Sequence, residues 1–517
     1  MRSSARRPRA AVFRLDAGAS IGGGHAVRCL ALADALGENA WRCTFAVADE
    51  GVDLMRRVAD GRYQVVPIAQ AQALDPGRLR AAIPGGCDLL VTDHYDWSAK
   101  QERSCRGWAR HILAIDDLCD RPHDCDVLLD VGIGREPGQY ASLLPRACRL
   151  LLGPGYAPLR REFAARRESS AGRPKTGAPP RVFVNFGLLD AGNFAGRTLE
   201  ALERIGFQGA VDLVLGASSA HLARVQARVR DAAGTVRLHV EPPGIVTLMA
   251  DADLAVGAAG GSAWERCCLG LPSLVVTVAP NQEHNARTLA ERGACEVLSA
   301  PEERFVPALA DALARLLRDR AALESMASAA RAVTDGRGAR RVALAIDPES
   351  AQDGGQVTLR RLAPEDIERT YRWQQHPDIR RYARDPRPPT WAEHTAWVTR
   401  ELSDPGCVLD IVEHDATPAG VVRLDRIERE GADAAYEVSI YVAPELTGRG
   451  IGAAALKALR RMAPEAVLVA HVLPANTASH ALFAAAGYVL QDGVYVSAPG
   501  PAAAVHTLAP GTRPKAG

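Results

Sequence analysis

The sequence predicts an α/β chain in which two doubly wound domains are followed by a smaller α+β domain. Three observations predict this. Over residues 11–345, continuous apolar runs of strand length alternate with helical stretches. Such runs suit strands covered on both faces, as in parallel sheets flanked by helices. The stretch ARRESSAGRPKTGAPP (165–180) interrupts this series; it is polar, rich in Gly and Pro, and lacks an apolar period. After AIDPESAQDGGQ (345–356) the texture changes to alternating strands and Trp/Arg-rich helices. A length of 517 residues leaves room for about three or four domains.

The elements follow in order. The first series reads AVFRL (11–15), DLLVTD (88–93), HILAIDD (111–117) and DVLLD (126–130). The second reads RVFVNFG (181–187), VDLVLG (211–216), ADLAVGA (252–258) and PSLVVTV (272–278). The third contains VTLRRL (357–362), CVLDIVEHD (407–415), AGVVRLDR (419–426), AAYEVSIYV (434–442) and AVLVAHV (466–472), a mostly antiparallel pattern. The expected organisation is a first domain over 1–164, a linker over 165–180, a second domain over 181–345, a linker over 346–356, a third domain over 357–496 and a disordered tail over 497–517.

Composition narrows the function classes. A hydrophobic share of 47%, a charged share of 24% and a net charge of +1 are those of an ordinary soluble domain protein, with no signal for a nucleic-acid or membrane partner. No apolar run reaches the ~18 residues of a membrane span. The eleven cysteines form no C-x-x-C pair, which argues against a disulfide framework or a zinc site and for reduced thiols in a cytoplasmic protein.

The chemistry starts at LDAGASIGGGHAVRCLALADAL (15–36). Gly22, Gly23 and Gly24 permit a tight turn and close approach of backbone to a ligand. The helix behind them buries Cys29, Leu32, Ala33 and Leu36 at i, i+3, i+4 and i+7. Free amides at such a helix start suit an anion, above all a pyrophosphate. Taken alone, His25 reads equally as a capping or core histidine. The second domain repeats the device in LAVGAAGGSAWERCCLGLP (254–272), with Gly260, Gly261 and Ser262 opening a helix. Two such helix starts on facing domains would close on one nucleotide. Glu265, one turn inside, is placed to accept hydrogen bonds from ribose hydroxyls, or is a helix-start acid favoured by the dipole.

Six motifs in order, RLDAGASIGGGHAVRCLALADAL, VTDHYDW, AIDDLCDRPHDCDVLLD, LLGPGYAPLRREF, AGGSAWERCCLGLP and APNQEHN, resemble the UDP-sugar hydrolase of pseudaminic acid biosynthesis, a family similar to GT-B glycosyltransferases. The resemblance covers roughly residues 10–335 and implies two facing GT-B-like domains. It implies release of UDP, with inversion, from UDP-2,4-diacetamido-2,4,6-trideoxy-β-L-altrose, with water as acceptor and no metal. It implies His25, Tyr95 and Asn281 as catalytic positions, Glu265 as the ribose-binding acid, and Gly260, Gly261 and Ser262 at the nucleotide phosphates. The chain departs from the family twice. FGLLD (186–190) stands where a Gly-Gly-Ser-Asp-like turn is usual, and Gly23 stands where Ser or Thr is common.

In the third domain, YEVSIYVAPELTGRGIGAAALKALRRM (436–462) sets a strand, a glycine turn and a helix with a stripe of Ile451, Ala454, Ala455 and Ala458. With PANTASHALFAAAGYVL (474–490) and the opening VTLRRLAPEDIERTYRWQQHPDIRRY (357–382), it resembles the GNAT acetyltransferases over about 356–495. The resemblance implies acetyl-CoA as co-substrate, bound at Val442, Arg449, Gly450, Gly452 and Asn476, with direct transfer to an amine beside a splayed strand. Thr447 stands where the family has Arg or Gln, and Phe483 where a tyrosine often serves as acid. Tyr488 is the candidate acid. Glu437 is the candidate base, or equally a salt-bridged strand acid.

The pair of resemblances implies successive steps on a UDP-activated amino sugar, acetylation of its 4-amino group preceding loss of UDP. Three alternatives stay open: the same pair acting on another amino-sugar nucleotide, a GT-B glycosyltransferase joined to an acetyltransferase, and a non-catalytic nucleotide-sugar sensor.

Overall fold

Each strand of the first sheet runs parallel to its neighbours, in the order β3-β2-β1-β4-β5-β6-β7. The strands are β1 (Ala10–Leu15), β2 (Arg42–Ala48), β3 (Gln64–Ile68), β4 (Cys87–Asp93), β5 (Ala109–Ile115), β6 (Val127–Asp130) and β7 (Arg149–Leu152). The structure, a computed structural model, describes residues 8–15, 23–169, 179–231 and 235–500. The expected tail beyond residue 500, the middle of the first expected linker and Gly22 lie outside the described residues.

The second sheet repeats the first. Its order is β10-β9-β8-β11-β12-β13, again all parallel. The strands are β8 (Arg181–Asn185), β9 (Ala210–Leu215), β10 (Val236–Val240), β11 (Leu254–Ala258), β12 (Ser273–Val276) and β13 (Glu296–Val297). In both sheets the order reverses beside the first strand, at β1/β4 and at β8/β11. A crevice forms beyond the carboxyl ends of strands at such a switch point.

The third sheet has the order β14-β15-β16-β17-β18-β19-β21-β20. It comprises β14 (Glu349–Ser350), β15 (Gln356–Arg361), β16 (Cys407–His414), β17 (Thr417–Ile427), β18 (Ala435–Val442), β19 (Val467–Ala470), β20 (Val489–Gln491) and β21 (Val494–Ser497). All its pairings are antiparallel except β18 with β19. That pair runs parallel over Ala435–Glu437 and Val467–Val469 and then separates.

The expected helical stripes are the buried ones. Cys29, Leu32, Ala33 and Leu36 of the helix Gly24–Gly37 are buried in the first core. Ile451, Ala454, Ala455 and Ala458 of the helix Ile451–Met462 are buried in the third. The strands absent from the sequence reading include β3 and β10, which close the sheets at their edges and carry polar residues such as Gln64, Arg237 and His239.

The start of the first expected linker and the second expected linker carry regular structure. Residues 165–169 continue the helix Arg161–Ser169. Within 346–356, β14 pairs with β15, and the amides of Gln352 and Asp353 donate to the carbonyl of Arg449. This segment is therefore a buttress for the glycine turn of the third domain. A Cβ on Gly450 would lie 2.6 Å from Cβ of Gln352, so that position needs glycine both for its φ of +80° and for this close approach.

The third domain is seated on the other two by buried arginines. Arg341, on the helix Gly338–Ile346, is fully buried between Asp335 at 2.5 Å and Asp410 of β16 at 2.7 Å. Arg337 reaches Glu168 at 2.6 Å, the hydroxyl of Tyr436 and the carbonyl of Met462. Arg340 grips Glu38 of the first lobe with two bonds of 2.9 Å and also Glu465.

Candidate functional site

The helix Gly24–Gly37 starts from Gly23, and no side chain caps its first turn; no acidic residue lies there either. Among the described residues its opening amides therefore meet no competing carboxylate, as an anion site requires. The helix Ser262–Leu269 starts from Gly261, likewise without a side-chain cap. Beneath it the buried Arg266 donates to the carbonyl of Ala258 and the hydroxyls of Ser262 and Ser273. A Cβ on Gly257 would lie 3.0 Å from this guanidinium, so Gly257 makes the room. Arg266 was missed in the sequence, where it reads as one more helix charge.

His25 sits in the first turn of its helix with 6% exposure. Its Nδ1 lies 2.6 Å from Oδ1 of Asp93, the last residue of β4, which is 1% exposed. Arg28, one turn further along the helix, donates to both oxygens of the same carboxylate at 2.7 and 2.5 Å and reaches Asp117 at 3.1 Å. Burial opposes ionisation of Asp93, but Arg28 and His25 outweigh it and hold the carboxyl well below the ordinary carboxylate range. An ionised Asp93 accepts the Nδ1 proton and so leaves Nε2 as the basic nitrogen. No hydrogen bond reaches Nε2 among the described residues. Asp93 and Arg28 were also missed. The available signal was an acid ending a central parallel strand beside the glycine turn.

Of the other two expected catalytic residues, Tyr95 packs on His25 within the first lobe, and Asn281 reaches Tyr95 from the second. The ring of Tyr95 stands edge-on to the imidazole, with centroids 4.9 Å apart and planes at 88°. The side-chain amide of Asn281, from the second lobe, donates to the Tyr95 hydroxyl at 3.4 Å. Burial, reinforced by Asp117, pushes the Tyr95 phenol up to about 12. Beside them, Nε2 of His284 lies 2.8 Å from the carbonyl of Ile133, and Asn285 accepts from the Ile133 amide at 3.2 Å. His284 is thus a half-buried contact between lobes.

Glu265 lies within the first turn of the Ser262 helix, buried, 3.6 Å from Arg160. Burial raises its carboxyl and Arg160 opposes the rise. Gly260 lies beside Gln282, whose side-chain oxygen accepts from the amides of Ala259 and Val278 and pins the turn. The two departures from the family pattern face one another: a Cβ on Gly23 would lie 2.6 Å from Cδ1 of Leu188. Asp190 of the same turn is buried and accepts from the amides of Phe194 and Ala195, so it caps the helix Phe194–Arg204.

In the third domain, Val442 ends β18, and Gly448 and Gly450, both at φ +80°, lead into the helix Ile451–Met462, which has no side-chain cap and no acid in its first turn. That start suits the pyrophosphate of a coenzyme A. The Arg449 side chain is exposed, and Gly452 packs closely on Leu482 and Val442. Asn476 caps the helix Thr477–Ala485 by accepting from Ser479. Glu437 accepts from Arg384 and lies 3.2 Å from Nδ1 of His471.

Tyr488 is the one candidate that its placement removes. Its hydroxyl is buried with no hydrogen-bond partner among the described residues, and its ring packs edge-on to Phe483 within the core. Burial pushes its phenol up, so it is a poor proton donor to a departing thiolate.

Glu401, Cys407 and Asp425 bring one ligand atom each within 4.8 Å of one another, but Arg400 already holds Glu401 and Arg423 holds Asp425. No described helix is long and apolar enough to cross a membrane.

Comparison with known proteins accounts for both parts. Residues 243–342 match the model of the glycosyltransferase family 28 C-terminal domain, and residues 356–489 that of the acetyltransferase (GNAT) domain. The chain joins a GT-B-like, nucleotide-sugar-related enzyme to a GNAT acetyltransferase domain. The GT-B-like unit is 24% identical over 287 residues to the UDP-2,4-diacetamido-2,4,6-trideoxy-beta-L-altropyranose hydrolase of Campylobacter jejuni, covering 54% of this chain and 96% of that one. It is 26% identical over 196 residues to the spore coat polysaccharide biosynthesis protein SpsG of Bacillus subtilis, covering 38% and 57% of the two chains. Among solved structures, MurG of Acinetobacter baumannii aligns over 66% of this chain and 99% of its own, with TM-score 0.45 and 17% identity. The GNAT domain aligns with the acetyltransferase MccE in complex with acetyl-CoA and AMP, over 29% of this chain and 97% of that one, with TM-score 0.25 and 14% identity.

Proposed function

We propose that the GT-B-like unit hydrolyses UDP-2,4-diacetamido-2,4,6-trideoxy-β-L-altrose with inversion, and that the GNAT domain uses acetyl-CoA to acetylate the 4-amino group of its UDP-sugar precursor, two steps of pseudaminic acid biosynthesis. The observation that carries the hydrolytic half is the Asp93–His25 pair, set between two uncapped helix starts and faced by Tyr95 and Asn281. UDP leaves readily, so the protein has two tasks. The opening amides at Gly23–Gly24 and Gly260–Ser262 take the growing charge on the diphosphate. Asp93 fixes the Nδ1 proton so that Nε2 takes a proton from water as its oxygen bonds to the anomeric carbon and the bond to UDP breaks. Attack opposite the leaving group inverts the centre. Glu265 accepts from the ribose hydroxyls. On the acetyl side, Val442, Arg449, Gly450, Gly452 and Asn476 hold the acetyl-CoA.

A second reading, hydrolysis of another amino-sugar nucleotide, is favoured by Leu188, which brings an apolar side chain over Gly23 where the resembling family has small or hydroxyl residues.

The test incubates the full chain with acetyl-CoA and UDP-4-amino-4,6-dideoxy-β-L-AltNAc and follows acetylation and UDP release separately. The expected result is acetylation followed by UDP release without any added acceptor. His25→Ala should lower UDP release by about 10²–10⁴-fold while UDP affinity holds. UDP release that requires a sugar or lipid acceptor would instead make the unit a glycosyltransferase.

A further inference from the structure

We infer that His471 is the base that accepts the proton of the acceptor amine, with Glu437 as the residue that positions it. This rests on the reading that the GNAT domain acetylates an amine, and it moves the base from Glu437 to a residue with no part in the resemblance.

The strand geometry places His471. β18 and β19 pair through Glu437 and Val469 and then part. Beyond that point β18 runs on to Val442 and the glycine turn, while β19 ends at Ala470. The splay between them is the slot in which a thioester can lie against unpaired strand backbone. His471 is the first residue past β19, at the mouth of that slot.

The two side chains there are unequally placed. The imidazole of His471 is 59% exposed and the carboxyl of Glu437 18%. Burial pushes the carboxyl up, but Arg384 and His471 outweigh it and hold it below its ordinary value. Arg384 and His471 both engage the same oxygen, Oε1. A carboxylate stabilised in this way is a poor base for an ammonium group, but a good acceptor for an imidazole N–H. With Nδ1–H donated to Glu437, Nε2 is the basic nitrogen, on a ring exposed enough to meet an amine from solvent. The charged groups around the pair are Arg384, and one strand away Asp425, directly opposite Glu437 and held by Arg423 at 2.8 Å.

The proton balance is simple. Nε2 takes one proton from the ammonium. The freed nitrogen pair bonds to the thioester carbonyl carbon, and the C–S bond breaks. The departing thiolate takes the second proton from nitrogen and leaves as coenzyme A thiol. The imidazolium returns its proton to water.

The full chain tests this with acetyl-CoA and the UDP-4-amino sugar, thiol release being followed from pH 5.5 to 9.5. H471Q should lower kcat/KM about 10²-fold or more and remove the ascending limb, with coenzyme A affinity unchanged by calorimetry. E437Q should lower kcat/KM less, because the imidazole stays in place but loses the carboxylate that fixes its Nδ1–H. H471Q within threefold of the parent, with the limb intact, overturns the inference. If the parent acetylates no amine, the acetyl-transfer reading fails, and the inference is judged by NMR of histidine-labelled protein. The imidazole signal absent from H471Q should change its Nδ1 chemical shift in E437Q as the hydrogen bond is lost, and an unchanged shift overturns the pairing.

Discussion

The molecule has two long seams, and they are built in opposite ways. The crevice between the GT-B-like lobes is crossed near the site by single contacts, one of them an ion pair: Asn281 to Tyr95, His284 and Asn285 to the backbone of Ile133, Leu188 against Gly23, and Arg160 to Glu265. The seam under the GNAT domain is crossed by arginines shared by several acceptors: the buried Arg341 with Asp335 and Asp410, the buried Arg337 with Glu168 and Tyr436, and Arg340 with Glu465, while Arg340 also ties Glu38 of the first lobe. A neutral bond beside water is broken and remade at little net cost. A buried ion cluster cannot open without stranding charge. The contrast predicts that the first seam parts more readily near the site than the second.

The largest expected effect breaks the permanent seam. Arg341→Met strands Asp410 in the interior and should cost about 3–5 kcal/mol in urea unfolding of the full chain. A loss below about 1 kcal/mol, the worth of an exposed pair, would erase the distinction between the seams.

Next comes Asp93→Asn, which removes the carboxylate shared by Arg28 and His25. At pH 7 it should cost about 1.5–3 kcal/mol of stability as well as most UDP release. Its pH dependence has a definite sign. The Asp93 carboxyl is lower in the folded chain than in the unfolded one, so below about pH 4 the unfolded chain binds the extra proton and stability falls with pH. The stabilisation is complete above that value and is lost as pH drops towards the folded value. Unfolding measured at pH 7 and pH 3 should show the parent losing more than Asp93→Asn; equal losses would count against the pair.

The smallest effect sharpens the account of the moving seam. Gly23→Ala places a methyl against Leu188, so it should weaken UDP binding by hindering closure. Leu188→Ala should restore it, with a coupling of about 0.5–1 kcal/mol in the double-mutant cycle. Additive effects would mean that the two residues do not meet in the closed form.

Much of this organisation was legible before any coordinates. The continuous apolar strands from AVFRL to PSLVVTV marked two parallel sheets, because a strand buried on both faces cannot afford polar residues on either. Edge strands such as β3 and β10 were not legible, since one open edge and half-exposed faces admit Gln64 and His239 without a visible pattern. Gly23, His25, Tyr95, Asn281 and Glu265 were marked by motifs, because a phosphate turn needs glycine and proton transfer needs a titratable group. Asp93, Arg28, Arg266 and His471 carried no comparable mark. Each matters through its partner, and the partners lie on other elements.

The sequence by itself determined which stretches could become buried strands, where the glycine turns fall and which side chains carry chemistry, since these depend on local steric freedom and apolar period. Only the tertiary structure decided that Asp93 orients His25, that Tyr488 is walled into a core, that Leu188 meets Gly23, and that the segment 346–356 braces a turn instead of spanning a gap. The reason is that partner choice and burial are set by strand order and domain docking, which bring together residues far apart in the chain, and no local pattern records those distances.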